Sequence, residues 1–159
     1  MRSRTATWFE CKIRYEKTMD DGMQKKVTEC YAVDALSFTE AESRIMEEMS
    51  MFISGEFTIT DIKKAAYSEI FFDDADAADK WYKVRLQQIK IDEKNGKEKR
   101  YNENYLINAG TLIGAVKGIE EIMSGTMNDY QIVAVAETAL MDVYEHGIKK
   151  ETVAKPEYL

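Results

Sequence analysis

The stretch ECYAVDALS at residues 29–37 is followed later in the chain by a similar stretch, ENYLINAGT at residues 103–111. Upstream, WFECKI at residues 8–13 aligns with WYKVRL at residues 81–86, with the register slipped by a single position. The matching blocks keep the same order along the chain, which is the signature of a repeated structural unit. We therefore predict that the chain is an internal duplication.

Each half of the chain has the pattern of a strand, a hairpin turn, a second strand, a helix and a third strand. Phe9, Cys11 and Ile13 alternate with charged residues, which is the period of a half-buried strand. Asp20-Asp21-Gly22 and Asn95-Gly96 favour hairpin turns after the first strand of each half. We therefore predict an α+β fold that duplicates a ββαβ unit, with an antiparallel-rich sheet and both helices on one face.

The predicted boundaries follow from the pattern and the composition. The first repeat is expected at residues 1–74 and the second repeat at residues 75–144, packed together as one compact domain. The joint is acidic and rich in small residues, so it has little to bury. Residues 145–159 lack periodicity and are expected to form a C-terminal tail.

Two features of the second repeat concern packing. Gly110, Gly114 and Gly118 recur at every fourth position along the predicted helix, which favours close contact with the sheet or with another helix. The last strands, near residues 56–72 and 129–144, are long, and the second of them is apolar on both faces. Such a strand is either central in a sheet covered twice or part of a subunit interface. We therefore expect a homo-oligomer.

Composition limits the partners and the compartment. The chain has 159 residues, 22 Lys and Arg against 29 Asp and Glu, a net charge of −7 and a pI near 4.9. A negative chain is a poor match for polymeric nucleic acid or an anionic membrane surface. No apolar segment has the length that a signal peptide or a membrane span needs. We expect a cytoplasmic protein, in the host cell cytoplasm if a phage encodes it.

Residues that carry chemistry are scarce. Cys11 and Cys30 are the two cysteines and His146 is the single histidine, too few for a disulfide framework or a structural zinc site. His146 falls in the expected tail, where we expect a solvated side chain rather than a general base. The glycines match neither a Walker loop nor a dinucleotide fingerprint. We expect no enzymatic activity, no metal and no cofactor.

The run WFECKIRYEK at residues 8–17, followed by VDALSFTEAE at residues 33–42, resembles a family of small uncharacterised proteins from gut Bacteroidales and their tailed phages. The resemblance covers residues 7–145. It implies a phage or mobile-element accessory protein of unknown function, and it implies no catalytic residues.

One repeated pattern is suited to holding a ligand. A tryptophan and two nearby cations share the polar face of the first strand in each repeat. An exposed indole beside cations can stack on a nucleobase and bind a phosphate. The alternative is that the indoles cover a sheet edge or an interface while the cations snorkel. The predicted ligand-binding residues are Trp8, Lys12 and Arg14 in the first repeat, and Trp81, Lys83 and Arg85 in the second.

Two functions remain after these exclusions. We expect a non-enzymatic accessory protein that binds or sequesters a small anionic, nucleotide-like ligand, which in a phage would counter host defence. The alternative is a protein-interaction module that binds a host or phage protein through its acidic surface and its apolar last strand.

Overall fold

The computed structural model describes residues 1–146 and has an α+β fold, which confirms the predicted class. Within these residues no helix has the length and apolar character that crossing a bilayer requires. In chain order the elements are β1 (Arg2–Thr5), β2 (Trp8–Thr18), β3 (Gln24–Asp34), α1 (Phe38–Phe52), β4 (Phe57–Lys64), β5 (Glu69–Phe72), β6 (Lys80–Ile91), β7 (Glu98–Ala109), α2 (Leu112–Ser124), β8 (Asp129–Glu137) and β9 (Leu140–Tyr144).

These elements form two compact units, each assembled from separate parts of the chain. Among the described residues, the β2 unit holds Ala6–Ala65 and residues 139–146, and the β6 unit holds Met1–Thr5 and Ala66–Thr138. The sequence predicts one sheet carrying both helices, whereas the structure has two mixed sheets with one helix each. The reason is that each helix directly follows its own hairpin and packs its apolar stripe against that hairpin.

In the β2 unit the strand order is β4-β2-β3-β9. β2 is antiparallel to both β3 and β4, and β9 is parallel to β3. The N-cap of α1 is Ser37, whose Oγ accepts from the Glu40 amide, while the Glu40 carboxylate accepts from the Leu36 amide, an arrangement close to a capping box. The buried core consists of Phe9, Cys11, Ile13, Val33, Ala35, Ala41, Ile45 and Met49.

In the β6 unit the strand order is β1-β5-β7-β6-β8. β6 is antiparallel to β7 and β8, and β5 is parallel to β7 and antiparallel to β1. Thr111 caps α2 by accepting from the Gly114 amide. The buried core consists of Phe71, Tyr82, Val84, Leu86, Ile107, Ala109, Ala115, Ile119 and Met123.

The duplication extends to packing and turns. When the two repeats are aligned, every core residue of the β2 unit has a counterpart in the core of the β6 unit, as with Ile45 and Ile119. The hairpin turns match as well, since Gly22 has φ +84° and Gly96, at the equivalent position, has φ +67°. Positive φ is a backbone conformation that favours glycine, so both turns require it.

Each predicted long last strand is interrupted, and its second part joins the sheet of the other repeat. The Ala65 amide donates to the Trp8 carbonyl where β4 ends, and the Thr138 amide donates to the Trp81 carbonyl where β8 ends. Beyond these points β5 pairs with β7, and β9 pairs with β3. The structural units therefore do not coincide with the two sequence repeats.

Gly114 and Gly118 lie in α2, whereas Gly110 precedes the N-cap Thr111, so the prediction that the helix includes Gly110 is wrong. A Cβ atom at Gly118 would lie 2.8 Å from Cδ1 of Ile107, and one at Gly110 would overlap the carbonyl oxygen of Ala77. The predicted close contact with the sheet is therefore confirmed at Gly118. The three glycines give no argument for a second copy of the chain, and the homo-oligomer stays a prediction.

Candidate functional site

The two tryptophans of the predicted ligand faces lie inside the protein. Trp8 is 1% exposed and Trp81 is 6% exposed. The Trp81 ring packs edge-to-face on Phe72 with the ring centroids 5.5 Å apart. Trp8 Nε1 is buried and finds no hydrogen-bond partner among residues 1–146. The expectation of exposed stacking platforms is therefore wrong, because these strand faces are covered where the indoles lie.

The four cations of the predicted faces remain at or near the surface. Lys12, Arg14 and Arg85 are exposed, and Lys83 is half-buried. Lys12 and Arg14 belong to the β2 unit, and Lys83 and Arg85 belong to the β6 unit. Their role as ligand-binding residues stays a prediction, now without an indole beside them.

An open groove lies at the hairpin end of the β2 unit. Its volume is about 720 Å³, within the range of small-molecule sites. Arg14 and Lys26 line it together with Glu16 and Glu56, so its cations are matched by an equal number of acids. Among the six predicted ligand-binding residues, Arg14 lines this groove.

The strands β4 and β8 occupy equivalent edges of the two sheets but carry different residues. β4 lies outside β2 and β8 lies outside β6, and both have the same exposure pattern and an equivalent bulge. Within residues 1–146, no strand pairs with the outer edge of β8. The exposed residues of β4 include Thr58, Thr60, Asp61 and Lys63, and their counterparts in β8 are Gln131, Val133, Ala134 and Ala136.

In the β2 unit, the charges on the edge strand are matched by opposite charges on its neighbour. Lys63 Nζ on β4 lies 3.5 Å from Glu10 Oε1 on β2. Asp61 on β4 lies directly opposite Lys12 on β2. Directly opposite residues share a face of the sheet and interact there. This edge therefore carries charged side chains whose charges cancel one another locally.

In the β6 unit, two cations on the inner strand have no acidic residue opposite them on the edge strand. Lys83 on β6 lies opposite Ala136 on β8, and Arg85 lies opposite Ala134. Neither Lys83 nor Arg85 forms an ion pair with another residue in the range 1–146. We define the β8 surface as the outer edge of β8 together with these four side chains. It is apolar at the edge and positively charged beside it, although the chain has a net charge of −7.

Sequence reasoning found half of this surface. It included Lys83 and Arg85 among the predicted site residues, but it did not include Ala134 and Ala136. The signal was present in the sequence, because aligning the two repeats places these two alanines on charged residues of β4. Their importance becomes visible once both strands are known to be sheet edges.

A buried charged cluster attaches the end of β9 to β3 and α1. His146 Nδ1 lies 3.3 Å from Asp34 Oδ1, and Nε2 lies 3.3 Å from Glu48 Oε1 without the geometry of a hydrogen bond. Arg44 Nη1 lies 3.5 Å from the same Asp34 oxygen. The His146 side chain is 14% exposed, so the expected solvated side chain is wrong. The rest of the expected tail, residues 147–159, lies outside the described residues.

A second polar cluster lies on β2 and β3. Tyr15 Oη and Tyr31 Oη donate to Glu29 Oε1 at 2.7 and 3.0 Å. Burial by itself raises the pKa of Glu29, but the hydrogen bonds from both tyrosines and the nearby Lys17 ammonium lower that pKa overall. Burial and the hydrogen bond to Glu29 raise the pKa of Tyr15 to about 12. These phenols are hydrogen-bond donors at neutral pH rather than bases.

Neither cysteine is positioned as a reactive thiol, since Cys11 is buried and Cys30 is half-buried. Burial, with smaller contributions from neighbouring charges, raises the pKa of the Cys11 thiol to about 12. Burial likewise raises the pKa of the Cys30 thiol. A thiol with a raised pKa is a poor nucleophile and metal ligand. In the part of the chain that the structure describes, no three His, Cys, Asp or Glu side chains are grouped to hold a metal ion.

The model of DUF4494, a domain of unknown function, matches residues 7–146, which include both repeats. No curated protein matches the chain.

Proposed function

Since the chain belongs to the DUF4494 family, a domain of unknown function, we propose its function from the geometry. The protein is a non-enzymatic interaction module. It binds an extended segment of a partner protein, which pairs with the outer edge of β8 as an additional strand. This mode of binding uses main-chain hydrogen bonds for affinity and side-chain contacts for specificity.

The observation that supports this proposal is the difference between β8 and β4. An edge strand presents unpaired N–H and C=O groups, and proteins commonly protect such an edge with charged side chains. β4 has this protection in Asp61, Lys63 and Lys64. β8 carries exposed acids at its two ends, Asp129 and Glu137, the latter at the position of Lys64. Between them, from Tyr130 to Ala136, its exposed positions are small, apolar or uncharged.

A bulge can also protect an edge, because it twists the edge strand away from any strand that would pair with it. In β8 the bulge lies at Val133, which is 52% exposed, and in β4 it lies at Thr60. The bulge is therefore common to both repeats. It does not account for the loss of charge from β8, which supports a separate use of that edge.

A selection experiment tests the proposal. Random peptides displayed on a library are selected for binding to the wild-type protein and then measured against the double variant Ala134→Asp, Ala136→Lys. This variant gives β8 the charged residues of β4. The control is Thr58→Asp, Thr60→Lys, which adds the same charges to the β4 edge.

The expected result is a set of extended peptides that bind the wild type and the control but not the β8 variant. Thermal melts of all three proteins verify that they are folded. Peptides that bind the β8 variant as tightly as the wild type would overturn the proposal, as would a selection that enriches no peptide.

The groove of the β2 unit supports a second candidate function, the binding of a small anionic, nucleotide-like ligand. Arg14 and Lys26 are two cations on the wall of a cavity large enough for such a molecule. Calorimetric titration with a nucleotide panel tests it. Binding that is lost in Arg14→Ala supports this candidate, and the absence of binding by the wild type contradicts it.

The biological setting is also part of the proposal. The resemblance of residues 8–17 and 33–42 to proteins of gut Bacteroidales and their tailed phages supports an accessory protein that acts in the host cytoplasm, where it would bind a host or phage protein and counter host defence. Infection with a phage that lacks this gene tests the setting. A lower phage yield supports it, and an unchanged yield in every host contradicts it.

A further inference from the structure

We infer that the partner segment bound at the β8 surface is acidic, an inference that rests on the proposed function of that surface. The segment would lie along β8 and place carboxylates over Lys83 and Arg85. The other side chains that the segment places on this face would contact Ala134 and Ala136.

The first argument is the unpartnered charge. Lys83 and Arg85 point to the face that they share with Ala136 and Ala134, and no acid of the described chain pairs with them there. A carboxylate brought by a partner would supply the missing charge, and with arginine it can form a bidentate hydrogen-bonded pair.

The second argument is the space that the alanines leave. Strands in a sheet lie about 4.8 Å apart, so a strand added outside β8 lies about 10 Å from β6. Lysine and arginine have long side chains, and methyl groups at Ala134 and Ala136 leave them free to extend across β8. Larger residues at these positions would block that path.

The third argument is the internal comparison. At the equivalent positions of the first repeat, Glu10 has an acidic side chain instead of Lys83, and Lys63 on the edge strand pairs with it. That arrangement neutralises charge within the chain. The second repeat has cations on the inner strand and alanines directly opposite them on the edge strand, whose acids Asp129 and Glu137 lie at its two ends, so the group that neutralises Lys83 and Arg85 is left to the partner.

Local charge and net charge lead to opposite expectations here. A chain with a net charge of −7 attracts basic partners at long range, but exposed charges are screened beyond about 8 Å at physiological ionic strength. The contact is therefore governed by Lys83 and Arg85. A second copy that paired through β8 would bring another unneutralised pair of cations, Lys83 and Arg85, so we assign the surface to a segment of another protein.

Two synthetic nonapeptides test the inference, one alternating valine with glutamate and the other alternating valine with lysine. Their affinities for the full chain are measured by fluorescence anisotropy. The wild type should bind the glutamate peptide at least about tenfold more tightly, which corresponds to about 1.4 kcal/mol. Arg85→Ala alone should weaken that binding by about 1.5- to 5-fold, the range of an exposed ion pair.

The decisive variant is Lys83→Glu, Arg85→Glu, which should reverse the preference in favour of the lysine peptide. Its control is Lys90→Glu, Lys99→Glu, which reverses two exposed cations at the hairpin end of β6 and β7 and should leave the preference unchanged. Each peptide carries a fluorescent label at its N-terminus, because valine, glutamate and lysine do not fluoresce. The Ala134→Asp, Ala136→Lys variant identifies binding at β8 by the loss of both affinities.

The outcomes separate this inference from the proposed function. Equal affinities for the two peptides, both lost in the β8 variant, would overturn the acidic partner and leave the β8 edge as a binding site. If neither these peptides nor any library peptide binds at β8, both the acidic partner and the proposed function are overturned. Sedimentation that shows a dimer, abolished in the β8 variant, would assign the edge to a second copy and overturn the inference.

Discussion

Replacing Trp8 by alanine should destabilise the protein strongly, because the indole is 1% exposed. Truncation of a buried tryptophan costs about 3–5 kcal/mol. In a protein of this size, 1 kcal/mol shifts Tm by about 2–4 °C, so we expect a decrease of about 6–20 °C. Trp8→Phe should cost less, because Nε1 has no hydrogen-bond partner among residues 1–146 and its loss leaves no group unpaired.

Thermal unfolding followed by circular dichroism measures this effect. The matched control is Arg14→Ala, an exposed position on the same face of β2, where the cost should stay within about 0.5 kcal/mol. A Trp8→Ala protein as stable as the Arg14→Ala protein, with weaker nucleotide binding, would refute the burial argument. That result would restore the exposed stacking face.

Three further predictions concern stability. Gly118→Ala should lower the free energy of unfolding by about 1–3 kcal/mol, because the new Cβ would lie 2.8 Å from Ile107 Cδ1. The control Gly55→Ala adds a Cβ in open space and should not destabilise the protein. Urea unfolding compares the two variants. The pKa of Glu29 is lower in the folded than in the unfolded chain, so its stabilisation is present above its ordinary value of 4.5 and is lost as the pH falls through the folded value. Glu29→Gln should therefore be less stable than the wild type at pH 7 and converge with it in acid, and parallel curves from pH 7 to 3 would contradict this. His146→Ala should lower the free energy of unfolding by about 1–3 kcal/mol, because it removes a partner from the buried carboxylates of Asp34 and Glu48. Unchanged hydrogen exchange of the β9 amides would contradict the role of His146 in holding β9 to β3 and α1.

The local features of the fold could be predicted from the sequence because short-range interactions determine them. The hairpin turn at Gly22 requires positive φ, and the start of α1 at Ser37 depends on a side chain that caps its own helix. The exchange of β5 and β9 between the repeats could not be predicted. Their pairing partners lie far away in sequence, and strand periodicity does not indicate which sheet a strand joins.

The candidate site was predictable in part for a similar reason. Alternation along β2 correctly places Trp8 on the face opposite the helix-covered core, but it does not show that this end of the face is buried. The apolar residues of β8 suggested either a central strand or an interface. Among the described residues, the sheet order shows that β8 is an edge, which rules out the central position there.

Hydrogen exchange of the full chain tests the use of the β8 edge most directly. Exchange is followed by mass spectrometry with and without the alternating valine-glutamate nonapeptide at saturation. The account predicts slower exchange in β8, Asp129–Glu137, and unchanged exchange in the equivalent edge strand β4, Phe57–Lys64. Protection of β4 instead, or unchanged exchange in β8 with the peptide bound, would contradict it.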